Sequence, residues 1–458
     1  MPQLEVALYV IYTAFMDISL LKIAEKTAPR YTSYPTAPMF SAEVTSETYG
    51  KWLGELSADA TLSLYLHIPY CKTICLYCGC HTFATRKEAP VLDYADTLIK
   101  EIQLVAAKTK ARKVKSIAWG GGTPNILSPA TFLKITDAIK SHFDLSQINE
   151  HAVEMDPRLL NDEHIAAFVK AGVNRASLGV QDMNHHVQKA IGRVQDLSLV
   201  KRATKKLRAA GIDAINMDLI YGLPEQSLED AINSAKIAAS LKPSRLAVFG
   251  YAHVPWFKKR QRLINEAALP ETSLRYDQAM GIKAALEALG YVAIGFDHFA
   301  RSDDPLAIAA LNKTVKRSFQ GYSCETADAI IGLGCSSIST LPQGYVQNNP
   351  EPGAWARAIE SGEFAIVRGV ATSDEDKKRR EIIDRLLGDF EVDLAEFGGA
   401  KKFLDVKNLL QNEVKDGLAI TEGEIVKVTE LGKPFVRLVA RHFDAYLDGS
   451  NAKHSRVI

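Results

Sequence analysis

Short runs of β-branched or apolar residues recur along this chain from residue 62 and alternate with stretches of helical periodicity. This alternation is typical of βα units that build a parallel sheet with right-handed crossovers. Six such units favour an α/β fold of the partial (β/α)6-barrel type, and an open doubly wound sheet is the alternative. The six runs span residues 62–68, 114–119, 150–155, 174–179, 213–220 and 244–250.

The segments that directly follow these runs are unusually polar or rich in glycine. In a βα barrel the loops after the strands meet at one mouth, where the chemistry of such folds takes place. We therefore expect a single site built from six loops. These loops cover residues 71–80, 120–125, 154–158, 179–182, 218–224 and 251–256.

The composition of the chain changes along its length and suggests three parts. Residues 1–60 are predicted to form an N-terminal extension and arm, and residues 61–350 the barrel with the helices that follow it. Residues 351–458 are predicted to form a smaller C-terminal helical domain. It ends in a winged-helix-like pattern of two short strands, a turn and a helix, but lacks the dense basic stripe of a nucleic-acid reader. We interpret it as a packing domain.

The first residues of the chain are apolar between positions 4 and 15, with no basic residue before them. The segment is too short to span a bilayer, which takes about 20 residues. We interpret it as a surface helix or an upstream extension, with Met16 as an alternative start.

The overall charge and the cysteine content limit the function classes. The formal net charge is +1, which indicates neither nucleic acid nor an anionic membrane as a partner. Six cysteines in 458 residues, four of them between residues 71 and 80, do not resemble the disulfide framework of a small secreted protein. We therefore expect a cytoplasmic protein with metal or redox chemistry at the cysteine cluster.

The cysteine cluster has the spacing Cys71-x3-Cys75-x2-Cys78, and Cys80 follows two residues later. Thiolates are the ligands of iron–sulfur clusters, whereas structural zinc sites more often show two separated C-x2-C pairs. Cys80 lies only two residues after Cys78, and no second C-x2-C pair accompanies it, so we expect Cys80 to have another role. We predict three ligands and one open iron. A closed four-ligand site that recruits Cys80 or His81 is the alternative.

The cysteine spacing, its position after the first strand and Tyr77 before the last cysteine resemble the radical S-adenosylmethionine (SAM) enzymes. The glycines at 120–122 fit this resemblance, because a backbone without Cβ atoms can approach the aminoacyl part of SAM. The resemblance implies a radical SAM barrel with a [4Fe-4S] cluster whose open iron is chelated by SAM. One electron from the cluster then cleaves SAM to methionine and a 5′-deoxyadenosyl radical.

Further stretches narrow the resemblance to the family of oxygen-independent coproporphyrinogen III oxidases, from about residue 27 to residue 458. The resemblance implies that the radical takes a β-hydrogen from each of two propionates of coproporphyrinogen III. These propionates lose CO2 and become the vinyl groups of protoporphyrinogen IX, a step of haem biosynthesis. The stretches are "RYTSYPTA" (30–37), "CGC" (78–80), "EMDPR" (154–158), "GVQDMNHHVQ" (179–188), "NMDLIYGLP" (216–224), "FGYAHVPW" (249–256), "GFDHFA" (295–300), "FQGY" (319–322) and "SRVI" (455–458).

Three other functions compete with this one. Haem-trafficking chaperones of related sequence typically have x-Phe after the last cysteine and lack the N-terminal arm. A radical SAM methyltransferase shares the architecture and uses a second SAM as methyl donor, but "SRVI" and "GFDHFA" disfavour it. A zinc-stabilised binding protein would be colourless and would not turn over SAM.

The resemblance also implies roles for individual residues. The residues that match the cluster ligands are Cys71, Cys75 and Cys78. The pocket of the cluster-bound SAM matches Tyr65, Gly121, Glu154 and Ile338. A second SAM pocket matches Tyr77, Gly122, Thr123, Gln181, Arg193, Asp218 and Ala252. Candidates for further contact with cofactor or substrate are His67, Cys80 and Gln320.

A low-potential electron donor such as a flavodoxin or ferredoxin, and a monomeric state, are implied in the same way. The arm at 30–37 is expected to fold over the mouth and keep water and oxygen from the radical, and a packed arm without a gating role is the alternative. The cations expected to neutralise substrate carboxylates, unless they face solvent, are Arg30, Lys258, Lys259, Arg260 and Arg262.

Overall fold

The computed structural model of the protein describes residues 18–324, 326–447 and 454–458. The apolar segment at 4–15 and Met16 lie outside these residues, so their interpretation stays a prediction. Among the described residues, no helix combines the length and apolar character needed to cross a bilayer.

One twelve-stranded sheet forms the centre of the fold, with the strand order β16-β15-β14-β13-β1-β4-β5-β6-β7-β8-β10-β9. Three small sheets, β2-β3, β11-β12 and β17-β19-β18, lie apart from it. The strands are β1 Thr61–Ile68, β2 Tyr70–Cys71, β3 Phe83–Ala84, β4 Lys113–Gly121, β5 Glu150–Met155, β6 Arg175–Gln181, β7 Ala214–Tyr221, β8 Arg245–Gly250, β9 Tyr291–Ile294, β10 His298–Arg301, β11 Lys316–Ser318, β12 Gly321–Ser323, β13 Ala329–Leu333, β14 Ile338–Leu341, β15 Gly344–Asn348, β16 Ile366–Ala371, β17 Glu391–Asp393, β18 Ala419–Glu422 and β19 Ile425–Val428.

The six predicted runs form strands β1, β4, β5, β6, β7 and β8, which pair in parallel and in chain order. This sequential order is that of a barrel wall, whereas a doubly wound sheet reverses its order at the middle. Strand β13 adds a seventh parallel strand beside β1, which the sequence analysis did not predict. Antiparallel strands extend both edges and leave the barrel open, so the predicted partial barrel is confirmed.

Helices connect the parallel strands and pack on the sheet. The buried side chains of β1, such as Leu62 and Leu66, belong to the same core as Leu98 and Ile102 of the first long helix. The helices are α1 Ile18–Ala24, α2 Ser46–Glu55, α3 Ala89–Lys108, α4 Pro129–His142, α5 Asp162–Ala171, α6 His185–Ala190, α7 Leu197–Ala209, α8 Leu228–Ser240, α9 Thr272–Ala288, α10 Pro305–Leu311, α11 Pro352–Glu360, α12 Asp374–Asp389, α13 Gly399–Lys402, α14 Leu404–Leu409, α15 Gln411–Lys415 and α16 Val436–Ala440.

The C-terminal part has a core of its own, built from α12, the sheet β17-β19-β18 and the short helices that follow. Helix α12 begins with a capping box in which Ser373 and Asp376 exchange hydrogen bonds. In contrast, β16 pairs with β15 in the central sheet, and Trp355 of α11 belongs to the barrel core. On these packing grounds we propose that the C-terminal domain begins near residue 372, later than residue 351.

The N-terminal arm contacts both cores. Tyr31 and Tyr34 are buried in the C-terminal core, whereas Trp52 of α2 is buried in the barrel core. The backbone of Thr27 also pairs with that of Arg456 in an isolated antiparallel bridge. The chain segments near residues 27 and 456 therefore lie side by side.

A buried ion pair joins β11 to the turn between β9 and β10. The Arg317 Nη2 to Asp297 Oδ2 distance is 3.2 Å, and both side chains are buried. Nearby, Arg301 and Asp303 form an exposed pair at 2.6 Å.

The exposed pair is the shorter of the two, but we expect the buried pair to contribute more to the free energy of unfolding. Asp297→Asn leaves the buried guanidinium uncompensated and should lower the free energy of unfolding by about 3–5 kcal/mol. Asp303→Asn should cost less than about 1 kcal/mol, because water solvates its partner. Denaturant unfolding of both variants checks this, and equal losses would contradict it.

Candidate active site

The cysteine loop lies between β2 and β3, directly after the first strand of the barrel. Its backbone is held by hydrogen bonds to two other loops at the same edge of the sheet. The Leu76 amide donates to the Ile191 carbonyl at 3.0 Å, and the Thr123 amide donates to the Tyr70 carbonyl at 2.9 Å. The Gly122 amide donates to the carbonyl at the end of β1, at 2.8 Å. The mouth loops therefore fix the path of the cysteine loop.

The first two thiols of the loop have polar partners, some on the loop itself and some from elsewhere in the barrel. Cys71 Sγ lies 3.1 Å from the hydroxyl of Thr123 and 3.3 Å from that of Thr82. Cys75 is buried, and Arg193 Nη1 donates to its sulfur at 3.6 Å. Hydroxyl and guanidinium donors stabilise the thiolate form that iron–sulfur ligation requires.

The third thiol, Cys78, accepts a hydrogen bond from Cys80, which lowers the pKa of Cys78 to about 6. The Cys80 side chain is exposed. Within the described part of the chain, no three His, Cys, Asp or Glu side chains are grouped as they would be around a single metal ion. Three thiols on one loop, each with a polar partner, are a suitable donor set for a cubane, where each thiolate binds its own iron.

Glycines at the end of β4 leave space beside two predicted site residues. A Cβ atom on Gly120 would lie 2.9 Å from Glu154 Oε1, and one on Gly121 would lie 2.5 Å from His67 Cε1. Gly121 also has a φ of +104°, which L side chains rarely adopt. The close approach of this backbone to Glu154 and His67 therefore requires glycine at both positions.

Glu154 faces the hollow of the barrel. It accepts a hydrogen bond from the Gly121 amide, but burial and the nearby carboxylate of Asp218 raise its pKa to about 7. Among the described residues it has no ion-pair partner, since every salt bridge of the barrel involves other acids. A carboxylate in this state would be stabilised by a cationic group of a ligand.

Tyr65 and His67 extend this side of the site from β1. His67 Nε2 lies 3.0 Å from the His81 carbonyl, which can only accept, so Nε2 donates there. His67 Nδ1 then accepts from the Tyr65 hydroxyl at 3.1 Å. Burial lowers the pKa of His67 to about 4, so the ring is neutral at physiological pH. Ile338, the first residue of β14, approaches Gly332, which pairs with Tyr65.

Asp218 lies on β7, close enough to Glu154 for the two carboxylates to influence each other. Asn216 donates to Asp218 Oδ1 at 2.8 Å, and Ser177 donates to Oδ2 at 3.2 Å. Burial raises the pKa of Asp218 despite these bonds. The carboxylate is therefore oriented by neutral neighbours and keeps acceptor capacity for a ligand.

Arg193 contacts both the cysteine loop and the end of β6, the strand that pairs with the strand of Asp218. Besides its contact with Cys75, its Nη2 donates to the Gly179 carbonyl at 2.7 Å, and its Nη1 lies 3.5 Å from Asp156 Oδ2. The buried Nε has no partner in the structure. Gln181, at the end of β6, adopts a φ of +68°.

Tyr77 and Ala252 are joined by a residue that the sequence analysis did not single out. The Gln261 side chain donates to the Tyr77 carbonyl at 2.9 Å and to the Ala252 carbonyl at 3.2 Å. Gln320 is exposed in the turn between β11 and β12. The structure thus brings together the predicted site residues on the barrel loops, and the role of Gln320 stays a prediction.

Sequence reasoning missed the residues that orient the site: Ser177, Asn216 and Gln261. Asn216 precedes Asp218 by two positions on a strand, so both side chains point to the same face. This alternation was a usable signal. No local signal identifies Gln261 as a contact of the cysteine loop, because Tyr77 lies 184 positions away in the sequence.

The basic run at 258–262 is not part of the cavity at the mouth. Lys259, Arg260 and Arg262 are exposed, and Lys258 Nζ donates to the Cys80 carbonyl at 3.1 Å. Of the predicted carboxylate-binding cations, Arg30 lines the cavity of about 410 Å³, together with Ala252.

Comparison with known proteins agrees with this geometry. The sequence pattern of the Radical SAM superfamily matches residues 65–238. An oxygen-independent coproporphyrinogen III oxidase from Bradyrhizobium diazoefficiens is 44% identical, covering 95% of this chain and 98% of its own. A Paracoccus denitrificans protein of the same name is 38% identical, covering 96% of this chain and 99% of its own.

A solved structure shows the same similarity in three dimensions. The coproporphyrinogen III oxidase from Escherichia coli, described as a radical SAM enzyme, has a TM-score of 0.88 and 34% identity to this chain. The similarity covers 94% of this chain and 99% of the solved one. With such identity over nearly the full length of its relatives, the chain belongs to the oxygen-independent coproporphyrinogen III oxidase family of radical SAM enzymes.

Proposed function

We propose that this protein oxidatively decarboxylates two propionates of coproporphyrinogen III without oxygen and yields protoporphyrinogen IX for haem biosynthesis. For each propionate, one hydrogen atom leaves the β-carbon, one electron passes to a one-electron acceptor, and the C–C bond to the carboxylate breaks. The products are a vinyl group and CO2. The relatives' names supply the substrate, and the arrangement of the mouth supports the chemistry.

The proposed cluster ligands are Cys71, Cys75 and Cys78. A [4Fe-4S] cluster with bound SAM supplies a 5′-deoxyadenosyl radical when it is reduced. The role of the chain here is to hold the three cysteines in place and to supply polar partners for their sulfur atoms. Thr123, Thr82 and Arg193 do so through the contacts described above.

The first SAM pocket is proposed on the side of β1, β4 and β5. Glu154 has no ion-pair partner among the residues that the structure describes, and it would accept a hydrogen bond from the SAM ammonium group. The Gly121 backbone would lie along the aminoacyl part, and Tyr65 and Ile338 would form the adjacent wall. Neutral His67 would keep the Tyr65 hydroxyl oriented without adding a charge.

A second SAM pocket is proposed on the side of β6, β7 and β8. Arg193 has an unpartnered buried Nε for a carboxylate, and Asp218 has acceptor capacity for an ammonium or a ribose hydroxyl. The full proposed set is Tyr77, Gly122, Thr123, Gln181, Arg193, Asp218 and Ala252.

The observation that carries this proposal is the position of Arg193. Its guanidinium contacts the sulfur of Cys75 and the Gly179 carbonyl, so a side chain of the proposed second pocket also touches the cysteine loop. Two SAM molecules would then lie close to one cluster.

The remaining proposals concern the setting of the enzyme. We propose a low-potential donor such as a flavodoxin or ferredoxin, a monomer, and a cytoplasmic location. Six free thiols favour a reducing compartment. Cys80, His67 and Gln320 remain candidates for contact with cofactor or substrate.

Anaerobic turnover tests the proposed reaction. Reconstituted protein is supplied with a low-potential reductant, SAM and coproporphyrinogen III, and 5′-deoxyadenosine and porphyrin products are quantified together. Protoporphyrinogen with matching 5′-deoxyadenosine is the expected result. If 5′-deoxyadenosine formed while coproporphyrinogen III stayed unconverted, the proposed reaction would be rejected.

The three-ligand proposal predicts different effects for neighbouring cysteines. Alanine at Cys71, Cys75 or Cys78 should abolish the cluster, because each thiolate binds one iron. Cys80→Ala should retain iron and sulfide, and Cys324→Ala serves as a remote control. Metal analysis and the visible absorption of the anaerobic protein measure this. Loss of the cluster in Cys80→Ala would contradict the ligand assignment.

Glu154 predicts a pH-dependent affinity for SAM. Its pKa of about 7 means that the carboxylate is progressively protonated as the pH falls, and only the ionised form pairs with an ammonium group. SAM affinity should therefore be about tenfold weaker at about pH 6 than well above pH 7. Titrations of wild type and Glu154→Gln check this. The variant should bind SAM weakly at every pH. If wild type and variant showed the same dependence of SAM affinity on pH, the assignment of Glu154 would be rejected.

The proposed place of Asp218 in the second SAM pocket leads to a prediction for the number of SAM molecules bound. Asp218→Asn removes a charged acceptor from the second pocket only, so the stoichiometry should fall from two to one while the cluster stays intact. Equilibrium dialysis with labelled SAM measures the ratio. Asp213→Asn, at an exposed position before β7, is the matched control. Two SAM molecules in Asp218→Asn would place the second pocket elsewhere.

A further inference from the structure

A cavity of about 410 Å³ lies between the barrel mouth and the C-terminal domain, and four arginines line it. They come from four separate parts of the chain: Arg30 from the arm, Arg275 from α9, Arg437 from α16, and Arg456 from the last described segment. Arg437 is buried, and Arg456 is exposed at the rim. Only the tertiary structure brings these four cations together.

None of the four guanidinium groups forms an ion pair with an Asp or Glu side chain of the described residues. Their hydrogen bonds go to neutral acceptors instead. Arg275 Nη2 donates to the Tyr251 carbonyl at 2.9 Å, and Arg437 Nη1 donates to the Ala28 carbonyl at 2.9 Å. Arg30 Nη2 lies 3.3 Å from the Gly250 carbonyl.

Asp297 also lines the cavity, but it is already engaged. Arg317 Nη2 lies 3.2 Å from its Oδ2, and His298 Nδ1 lies 2.6 Å from its Oδ1. This carboxylate therefore compensates a guanidinium group outside the set of four. The cavity keeps an excess of positive charge.

The arginines also have unused hydrogen-bonding capacity. The Nε atoms of Arg275 and Arg437 are buried and have no partner in the structure. Burial, followed by the charge of Arg30, lowers the pKa of Arg437 to about 9. Buried charges are normally paired, because an unpaired one forfeits its hydration. The arrangement calls for an anionic ligand.

The residues that line the cavity also indicate which chemical groups a ligand would present. A guanidinium group presents a planar fork that matches a carboxylate in two parallel hydrogen bonds. Phe296, Trp256 and Leu269 add apolar surface for a ring system. Ala252 places one end of the cavity next to the proposed second SAM pocket.

We infer that this cavity is a binding site for propionate carboxylates of the tetrapyrrole substrate, held by Arg30, Arg275, Arg437 and Arg456. The inference rests on the proposed function for the identity of the substrate. The arginines anchor propionates that are not reacting, and so they orient the ring toward the mouth. Recognition of the carboxylates thus comes from the interior cavity, and the exposed cations Lys259, Arg260 and Arg262 have no part in it.

Equilibrium binding of a stable analogue tests the site. Coproporphyrin III, the oxidised ring with four carboxylates, is titrated into the reconstituted full-length holoenzyme by absorbance and fluorescence. Its tetramethyl ester, which has the same ring without the charges, is the second probe. Arg30→Gln and Arg275→Gln each remove one guanidinium, and Arg202→Gln changes an exposed arginine of α7 as the matched control.

The wild type should bind the tetraacid, and each cavity variant should bind it about 10- to 100-fold more weakly, as expected for a lost charge-assisted hydrogen bond. Arg202→Gln should match the wild type, and the ester should bind weakly to all proteins. Arg275→Lys, which keeps the charge without the fork, should fall between wild type and Arg275→Gln. Iron content and circular dichroism verify that each variant is folded.

Unchanged tetraacid affinity in both cavity variants, or an ester that binds the wild type as tightly as the tetraacid, would overturn the inference. Anaerobic turnover of the same proteins tests the proposed reaction separately from the proposed carboxylate site. Arginine-dependent binding without decarboxylation would keep the site and reject the reaction. Decarboxylation with arginine-independent affinity would keep the reaction and reject the site.

Discussion

The parallel pairing of seven strands is the constraint on which the rest of this structure depends. Parallel strands end at the same edge, so the loops that follow them must share one space. The register sets the details: Ile68 at the end of β1 lies opposite Gly121, and Gly179 lies opposite Asp218. The cysteine loop therefore begins beside the glycines that approach Glu154. The antiparallel strands at both edges extend this frame without closing it.

Charge pairing separates the structural from the ligand-binding parts of the molecule. Arg317 and Asp297 neutralise each other in the interior and join elements of the fold. Glu154 and Asp218, in contrast, face the mouth without ion-pair partners among the described residues, and their pKa values are raised. The four cavity arginines carry the opposite sign and also lack acidic partners. The acids therefore lie in the proposed SAM pockets, and the arginines line the cavity that we propose for the carboxylates of the substrate.

Local patterning was enough to predict the six strands of the barrel wall, because each is a short run with apolar side chains that is followed by a polar or glycine-rich loop. It did not predict β13, whose place beside β1 depends on a pairing between residues far apart in the chain. The extent of the C-terminal part was equally inaccessible from composition. Strand β16 lies within a charged stretch of sequence, yet the hydrogen-bonding edge of β15 recruits it into the central sheet.

The spacing of Cys71, Cys75 and Cys78 by itself determined the kind of chemistry proposed, because ligands on one short loop need no partner from elsewhere to be recognised. The resemblance to a family then supplied the remaining pocket residues. Only the tertiary structure decided that Arg193 touches the cysteine loop and that Arg437 lies in the same cavity as Arg30. The physical reason is sequence distance: a contact between residues hundreds of positions apart leaves no local pattern, and only packing of the arm and the C-terminal domain against the barrel creates it.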